Sequence, residues 1–443
     1  MEKVFRDPVH NLIGFDRERD RLVLELIETR ELQRLRYIKL MGVSYVVYPG
    51  ADHNRFSHSL GVAFLMKRVI SGMRSFRADP RFRTLIAELE RYRPLLLAAA
   101  LLHDIGHFPL SHLLEGFIGQ NHEDWTVKLV QDPASEVHQV LRAADARYPD
   151  QVAQIIARTF KPSFAVKLIS SQLDVDRMDY LLRDSYHSGV GYGRFDLEWL
   201  LHSLRLVQQG DDWEVAVDEK KGLRAVESYL LARYYMYQQV YHHKTSRAAG
   251  AMVRGILQRA TELLQADQEI FCTEALKGLL LDPAHLSCDA FLQLDDPLLT
   301  FALQQWSMSA DSILSDLCRR FLRRRIFKTL EVDAAGYRHC EPKLTALARR
   351  AGFDPAYYLV IDTAVSDPYI DGLLLGAQGR NRAEAGEGIY LADEALRLTE
   401  LSRHSALIGA ISNRAFVRDR LCFPEELREK IEGVFAHSGS RPH

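Results

Sequence analysis

The chain has 443 residues, 47% of them hydrophobic, enough to bury more than one sizeable core. Its 57 basic and 59 acidic side chains nearly cancel, which excludes bulk electrostatics as the means of holding a nucleic acid or a membrane. Five scattered cysteines, Cys272, Cys288, Cys318, Cys340 and Cys422, contain no Cys-x-x-Cys pair and read as ordinary thiols of a reducing compartment.

MEKVFRDPVHNLIGF lacks the charged-then-apolar layout of a signal peptide, and no apolar run approaches a membrane span, so the expected location is the cytoplasm. Residues 17–40 place Leu22, Leu26, Leu32 and Leu35 at mostly helical intervals, predicting two short helices around Glu28 to Arg30. The loop VVYPGADHNRF follows, marked by Pro49 and Gly50. A helix is predicted from about Ser57 to Phe76, and a very apolar, buried one from about Arg93 to Leu102. Helical patterns continue over 122–145, 149–160, 163–186 and 194–203.

LRLV at 204–207 and WEVAV at 213–217, joined through Gly-Asp, read as a β-hairpin. Helices return over 222–264 and 311–322. Beyond about residue 325 the character changes: YYLVI, GIYLA and RAFVRDRLCF look like strands, interleaved with LTALARRAG and PEELREKIEGVF as helices. The expected fold is therefore mainly α, a helical unit over 1–325 with one small hairpin, followed by a smaller α+β unit over 326–443. The Gly-rich stretch 376–388 reads as a loop, and there is no internal repeat.

Three segments bear on chemistry. NRFSHSLGV holds His58; LLHDIGHFPLSH holds His103 and Asp104, then His107 and His112; SSQLDVDRMDYLLRDS places Asp176, Tyr180 and Asp184 at i, i+4 and i+8 on one helical stripe. Taken alone, the last is an amphipathic helix with a solvated acidic face; Asp179 falls off its stripe, so Asp179→Asn is expected to do much less than Asp176→Asn. An aspartate at the end of the buried run LLAAALL, however, needs a partner for its charge. A divalent metal is such a partner, and two imidazoles with two carboxylates suit a borderline first-row ion. In YLLARYYMYQQVYHHK, Arg233, Tyr237, Tyr241 and Lys244 lie at i, i+4, i+8 and i+11, a second stripe with charge at both ends.

The pattern His58, His103 with Asp104, and Asp176 resembles the metal-dependent HD-domain phosphohydrolases. KVFRDPVH, ELQRLRYIK, YPGADHNRFSHSLGV, LLHDIGHFPLSH, the NHE triplet, DVDRMDYLLRD and YHHK, in that order, are similar to the deoxynucleoside triphosphate triphosphohydrolase branch, which includes bacterial enzymes and the animal SAM- and HD-domain protein. The likeness covers roughly residues 3–250 and reaches SALIGAISNRAFVRDRLCFPEEL in the tail.

That resemblance implies hydrolysis at the α-phosphorus of a dNTP, giving deoxynucleoside and tripolyphosphate. Its metal site falls on His58, His103, Asp104 and Asp176, for Mn, Mg, Fe, Co, Ni or Zn. His112 and His122 become the acid/base residues, supported by Glu115 where the family has aspartate. Arg55, Arg177 and Lys244 match positions on or near the nucleotide, and His107 and Tyr180 match groups that hydrogen-bond the phosphates. Arg233 and Tyr237 lie on the same stripe, Asp184 faces the sugar, and Tyr241 packs against the deoxyribose. Three positions depart from the family: Leu40 replaces a glutamine that holds the 3′ hydroxyl, Tyr237 replaces a histidine of the animal enzyme, and His242 replaces a glutamine near the base. Homo-oligomers, tetramer or dimer, and an effector nucleotide are further implied partners. The alternatives are an HD-type phosphatase or phosphodiesterase on another nucleotide, and a nucleotide-sensing or nucleic-acid-binding protein. The last is favoured by the basic run RRFLRRRIFK, with Arg319, Arg320, Arg323, Arg324 and Arg325.

Overall fold

The computed structural model describes residues 1–73, 83–366, 369, 388–412 and 416–437; helices make up most of it, and its strands form three small sheets. The mainly α class is observed. The predicted Gly-rich loop lies outside the described residues, Gly388 excepted.

The chain opens on a hairpin that no alternation in the sequence announced. β1 (Glu2–Asp7) pairs antiparallel with β2 (Asn11–Asp16), Asp7 opposite Asn11. Asp7 Oδ1 closes the turn by accepting the amides of Val9 and His10 at 2.9 and 2.8 Å.

α1 (Arg55–Met73) packs along α2 (Arg83–Leu102). α2 starts at Arg83 rather than at Arg93. Pro94 removes one intrahelical hydrogen bond, but buried Leu85, Ile86 and Leu89 carry the helix through it. From Leu95 to Leu102 every side chain is buried, so this end of α2 runs through the core and delivers His103 and Asp104 at its exit.

The predicted helix over 122–145 is two, because Ser135 caps a fresh start by accepting the His138 amide. α3 (His112–Ile118) precedes α4 (His122–Gln131). The pattern over 163–186 is likewise interrupted: α5 (Val175–Ser188) begins afresh where Asp174 accepts the Arg177 amide at 2.7 Å, and it ends at Gly189 with φ 77°. Helices Glu274–Leu281, Cys288–Leu292 and Asp296–Trp306 were not anticipated.

α6 (Glu219–Met236) passes into a π turn, Tyr237–Tyr241, and α7 (Lys244–Gln265) starts from a His243 cap. The stripe expected from Arg233 to Lys244 assumed one continuous helix; the wider turn re-aims everything past Met236.

β3 (Leu204–Gln209) and β4 (Asp212–Asp218) form the predicted hairpin. The tail adds β5 (Lys328–Glu331), β6 (Val360–Ser366), β7 (Tyr390–Ala392), β8 (Leu398–Glu400) and β9 (Phe416–Phe423). One sheet runs β5-β9-β6, backed by a small core that includes Leu344, Leu421, Leu427 and Ile431. The other runs β3-β4-β7-β8, with β7 parallel to β4. The tail is thus stitched to the helical part by this pairing and by buried Asp362 on β6, which accepts from Arg247 at 2.8 and 2.9 Å and from Arg254 at 3.0 Å, both on α7. Among the described residues no helix is long and apolar enough to cross a membrane.

Candidate active site

His103 leaves α2 with its Nδ1 engaged by the Ala100 carbonyl at 2.9 Å, which turns Nε2 inward, buried and without a hydrogen-bond partner. His58 from α1 and Asp176 from the first turn of α5 converge on it. His58 Nε2 lies 3.0 Å from Asp176 Oδ1 and 3.7 Å from Asp104 Oδ2, while His103 Nε2 lies 3.4 Å from Asp104 Oδ1 and 3.5 Å from Asp176 Oδ1. Two imidazole nitrogens and two carboxylates therefore share one small, mostly buried space. The orphaned His103 nitrogen, with His58 and Asp176, fits a divalent cation, and Asp104 stands beside them while also binding Arg55.

The electrostatics agree. Burial works against the His58 imidazolium, but hydrogen bonds to Asp176 and Asp179 outweigh it and push the pKa up to about 10. His103 is raised too, against burial, chiefly by Asp104. Asp176 is held well below the usual carboxylate range, again against burial, by His103 and His58. The space favours positive charge.

Beyond it the chain turns a strained corner. Leu110 and Ser111 both have φ 56°, a conformation non-glycine residues enter at a cost. Leu110 N donates to Asp296 Oδ1 at 2.8 Å, Ser111 Oγ donates to the Lys39 carbonyl at 3.0 Å, and Arg55 Nε donates to Ser111 Oγ at 3.1 Å. Buried Arg34 braces the same corner through the carbonyls of His107 and Leu294, each at 2.9 Å.

The corner aims α3, so that Glu115 sits among three histidines. Its Oε2 is 3.3 Å from His112 Nδ1 and 3.1 Å from His122 Nδ1, and its Oε1 approaches His107 Nδ1 to 2.9 Å without hydrogen-bond alignment. His107 stacks on His122 at 3.8 Å between centroids, and its Nε2 lies 3.2 Å from Asp104 Oδ1. The two clusters are contiguous. Burial, with Arg55 and His122, depresses His107 to about 3. Glu115 is held far below the usual range, against burial, by the three histidines.

A third group lies across α5. Asp184 takes the Tyr241 hydroxyl on one oxygen at 2.8 Å and meets His53 Nε2 at 2.7 Å with the other. Tyr180 and Tyr241 face each other at 6.2 Å, and Tyr237 follows Tyr241 at 5.0 Å. Arg233 is buried beside the Tyr237 ring, yet its Nε and Nη1 find no hydrogen-bond partner. Burial, then the Tyr237 hydroxyl, push the Tyr180 hydroxyl well up, and Tyr180 stands one turn beyond Asp176 on α5, which places this group beside the cation site. Unmet guanidinium donors in a buried place are costly until an anion meets them.

Not every expected residue arrives there. Arg177 turns back to Asp174 and the Ser171 carbonyl, and Arg55 binds Asp104 and Ser111. His242 stays beside Tyr237, with rings 5.8 Å apart. Lys244 is exposed at the start of α7 and, among the described residues, makes no hydrogen bond or ion pair with the others. Leu40 is half-buried, its amide donating to the His53 carbonyl at 3.0 Å.

Asp179 corrects the sequence expectation. It is fully buried beneath His58, whose Nδ1 lies 2.7 Å from its Oδ2, while His10 Nε2 lies 2.6 Å from its Oδ1 and Arg183 clamps both oxygens at 2.8 and 3.0 Å. α5 is packed on more than one side, so the i, i+3 neighbour of Asp176 points inward as well. That spacing was the available signal. His10, His53, Arg34 and Asp296 had none beyond the motifs that enclose the first three.

Known proteins resemble this chain over most of its length. The HD domain family matches residues 55–184, and the HD associated region matches residues 195–360. The uncharacterized protein YwfO of Bacillus subtilis is 39% identical over 426 residues, covering 96% of this chain and 93% of that protein. The deoxynucleoside triphosphate triphosphohydrolase SAMHD1 of Gallus gallus is 27% identical over 362 residues, covering 74% of this chain and 56% of that protein. A solved phosphohydrolase from Bacteroides thetaiotaomicron superposes with a TM-score of 0.78 at 29% identity, over 96% of this chain and 100% of that one. With the histidine and aspartate pair that follows α2 at its centre and the associated region after it, the chain belongs to the HD-domain phosphohydrolase family, among whose members are deoxynucleoside triphosphate triphosphohydrolases.

Proposed function

We propose that the chain hydrolyses deoxynucleoside triphosphates to deoxynucleoside and tripolyphosphate. The observation that carries this reading is contiguity. Asp104 links the cation cluster to the histidines around Glu115, and Tyr180, one turn past Asp176, begins a run of rings, Tyr241 then Tyr237, that ends at the unmet donors of buried Arg233. A triphosphate ester is long and anionic enough to meet all three. The names of the SAMHD1 relatives and of the Bacteroides phosphohydrolase support the same chemistry.

His58, His103, Asp104 and Asp176 would hold a divalent ion, one of Mn, Mg, Fe, Co, Ni or Zn, which would polarise a phosphoryl oxygen and lower the pKa of a bound water. Arg233 and Tyr180 bind the phosphates, joined by Arg55, Arg177 and His107 once those exchange present partners for the ligand. His112 and His122 hold and deliver the proton at the leaving 5′ oxygen, with Glu115 orienting both. Tyr241 and Asp184 face the sugar, and Tyr237 and His242 border the base. The reading carries with it a homo-oligomer, an effector nucleotide and a cytoplasmic setting.

The decisive experiment is product analysis after incubation with each of the four dNTPs and four NTPs, with Mn or Mg, singly and in pairs. Deoxynucleoside with tripolyphosphate is the expected result. Orthophosphate or pyrophosphate instead would move the assignment to a second reading, an HD-type phosphatase or phosphodiesterase on another nucleotide, which the apolar Leu40 favours. The basic run gives a nucleic-acid role less support, since Arg320 is tied to Asp316 and Glu426 and Arg324 to the Val46 carbonyl.

A further inference from the structure

We propose that the N-terminal hairpin is a working part of the cation site: His10, acting through Asp179, positions His58, and the Arg183 bridge to Asp7 locks the hairpin turn to the same carboxylate. The inference rests on reading His58, His103, Asp104 and Asp176 as cation ligands.

The contacts form one buried line. A carboxylate can only accept, so His58 presents its Nδ1 proton to Asp179 Oδ2 at 2.7 Å, and this directs Nε2 into the candidate cation space, 3.0 Å from Asp176 Oδ1. Asp179 Oδ1 meets His10 Nε2 at 2.6 Å, where both side chains are at most 2% exposed. Arg183, fully buried, spans from Asp179 to Asp7 Oδ2 at 2.7 Å. Asp7 in turn closes the hairpin through the amides of Val9 and His10. The turn of the hairpin is thereby fastened to the rear of a metal ligand, and the ring of His10 rests on Phe64 of α1 at 5.7 Å.

Space has been kept for this line. A Cβ at Gly61, one turn past His58, would lie 1.9 Å from Asp179 Oδ1 and 2.6 Å from Arg183 Nη2. Stability alone is a weak reason for such a group, because a buried ion pair gains little over apolar packing of equal volume. Orienting an imidazole is something apolar packing cannot do. Partners of this kind behind a ligand typically change metal affinity about 10- to 100-fold. His10 is thus a positioning residue.

The test is calorimetric titration of Mn²⁺ into the metal-stripped full-length chain and three variants, with thermal unfolding recorded alongside. His10→Ala and His10→Phe, the latter keeping a ring against Phe64 without a donor, are expected to bind Mn²⁺ at least about tenfold more weakly. His10→Gln, whose amide can donate to Asp179, is expected to recover most of the affinity at unchanged stoichiometry. Should His10→Ala fail to fold, the His10→Phe and His10→Gln pair carries the comparison. Folded His10→Phe binding Mn²⁺ within twofold of the parent, or His10→Gln as weak as His10→Phe, would overturn the inference while leaving the cation site standing. A parent chain that takes up no Mn²⁺ would overturn the cation-site reading itself, and this inference with it.

Discussion

His122 Nδ1 lies 3.1 Å from Glu115 Oε2, the same oxygen that faces His112 Nδ1 at 3.3 Å. One carboxylate therefore fixes two imidazoles through Nδ1 and leaves the Nε2 of each directed away from it. Glu115→Gln keeps the size and removes the charge. It is expected to lower kcat about a hundredfold, within the range for acid/base catalysis, while bound metal stays unchanged. Turnover measured beside metal content separates this from damage to the neighbouring cluster.

Metal removal should be reversible and Asp176-dependent. A chelator is expected to abolish hydrolysis, and Mn²⁺ to restore it and raise the unfolding temperature as its concentration climbs, since a ligand bound only by the folded state stabilises it. Asp176→Asn should lose the thermal response and the activity together. A persistent Mn²⁺-dependent shift in that variant would remove Asp176 from the ligand set.

Arg233 gives a prediction with two signs. Hydrogen bonds to charged groups contribute about 1.5–3 kcal/mol, so Arg233→Ala is expected to lower kcat/KM for a triphosphate by about tenfold or more. The free protein should be no less stable, because a buried guanidinium with unmet donors disappears with the side chain. Unfolding midpoints without nucleotide check the second half; a large drop would mean that Arg233 is structural.

Asp296 holds the strained corner by accepting the amides of Leu110 and Lys39, each at 2.8 Å. Asp296→Ala leaves two buried donors unmet, at about 1–3 kcal/mol each, and should also lower kcat about tenfold by loosening the aim of His112 and Glu115. Asp296→Asn retains one acceptor and should fall between. Unfolding and turnover, compared across the pair, test the order.

Acid should act partly through His242. Burial, Arg247 and Arg420 depress it to about 4. Between that value and about 6.5 the unfolded chain takes a proton that the folded chain refuses. Its contribution to stability is therefore present above 6.5 and is lost as pH falls toward 4. His242→Gln should flatten the stability profile in that window, which denaturant titrations at several pH values would reveal.

Much of the candidate site could be read along the chain because its proposed ligands sit in compact motifs: His58 in a helix, His103 and Asp104 at the end of a buried one, Asp176 on a helical stripe. What escaped was whatever depends on a distant partner. Asp179 looked peripheral because a stripe counted from Asp176 shows one face of α5, whereas His10 and Arg183 occupy another. The π turn after Met236 leaves no mark in hydrophobic spacing, so Lys244 seemed to share a face with Arg233. The parallel pairing of β4 with β7 joins residues 216–218 to 390–392, a contact no local pattern announces.

His10 and Asp179 are separated by 169 residues. The cation site thus closes one of the longest loops in the first half of the chain, and such contacts form slowly because loop entropy must be overcome before they give any return. During synthesis, α1 and α2 can emerge and fold while the pocket still lacks Asp176 and the support beneath His58. On the proposed ligand set, loading with metal would be a late event, reached only after α5 has left the ribosome, and a chain interrupted before it would lack the complete site.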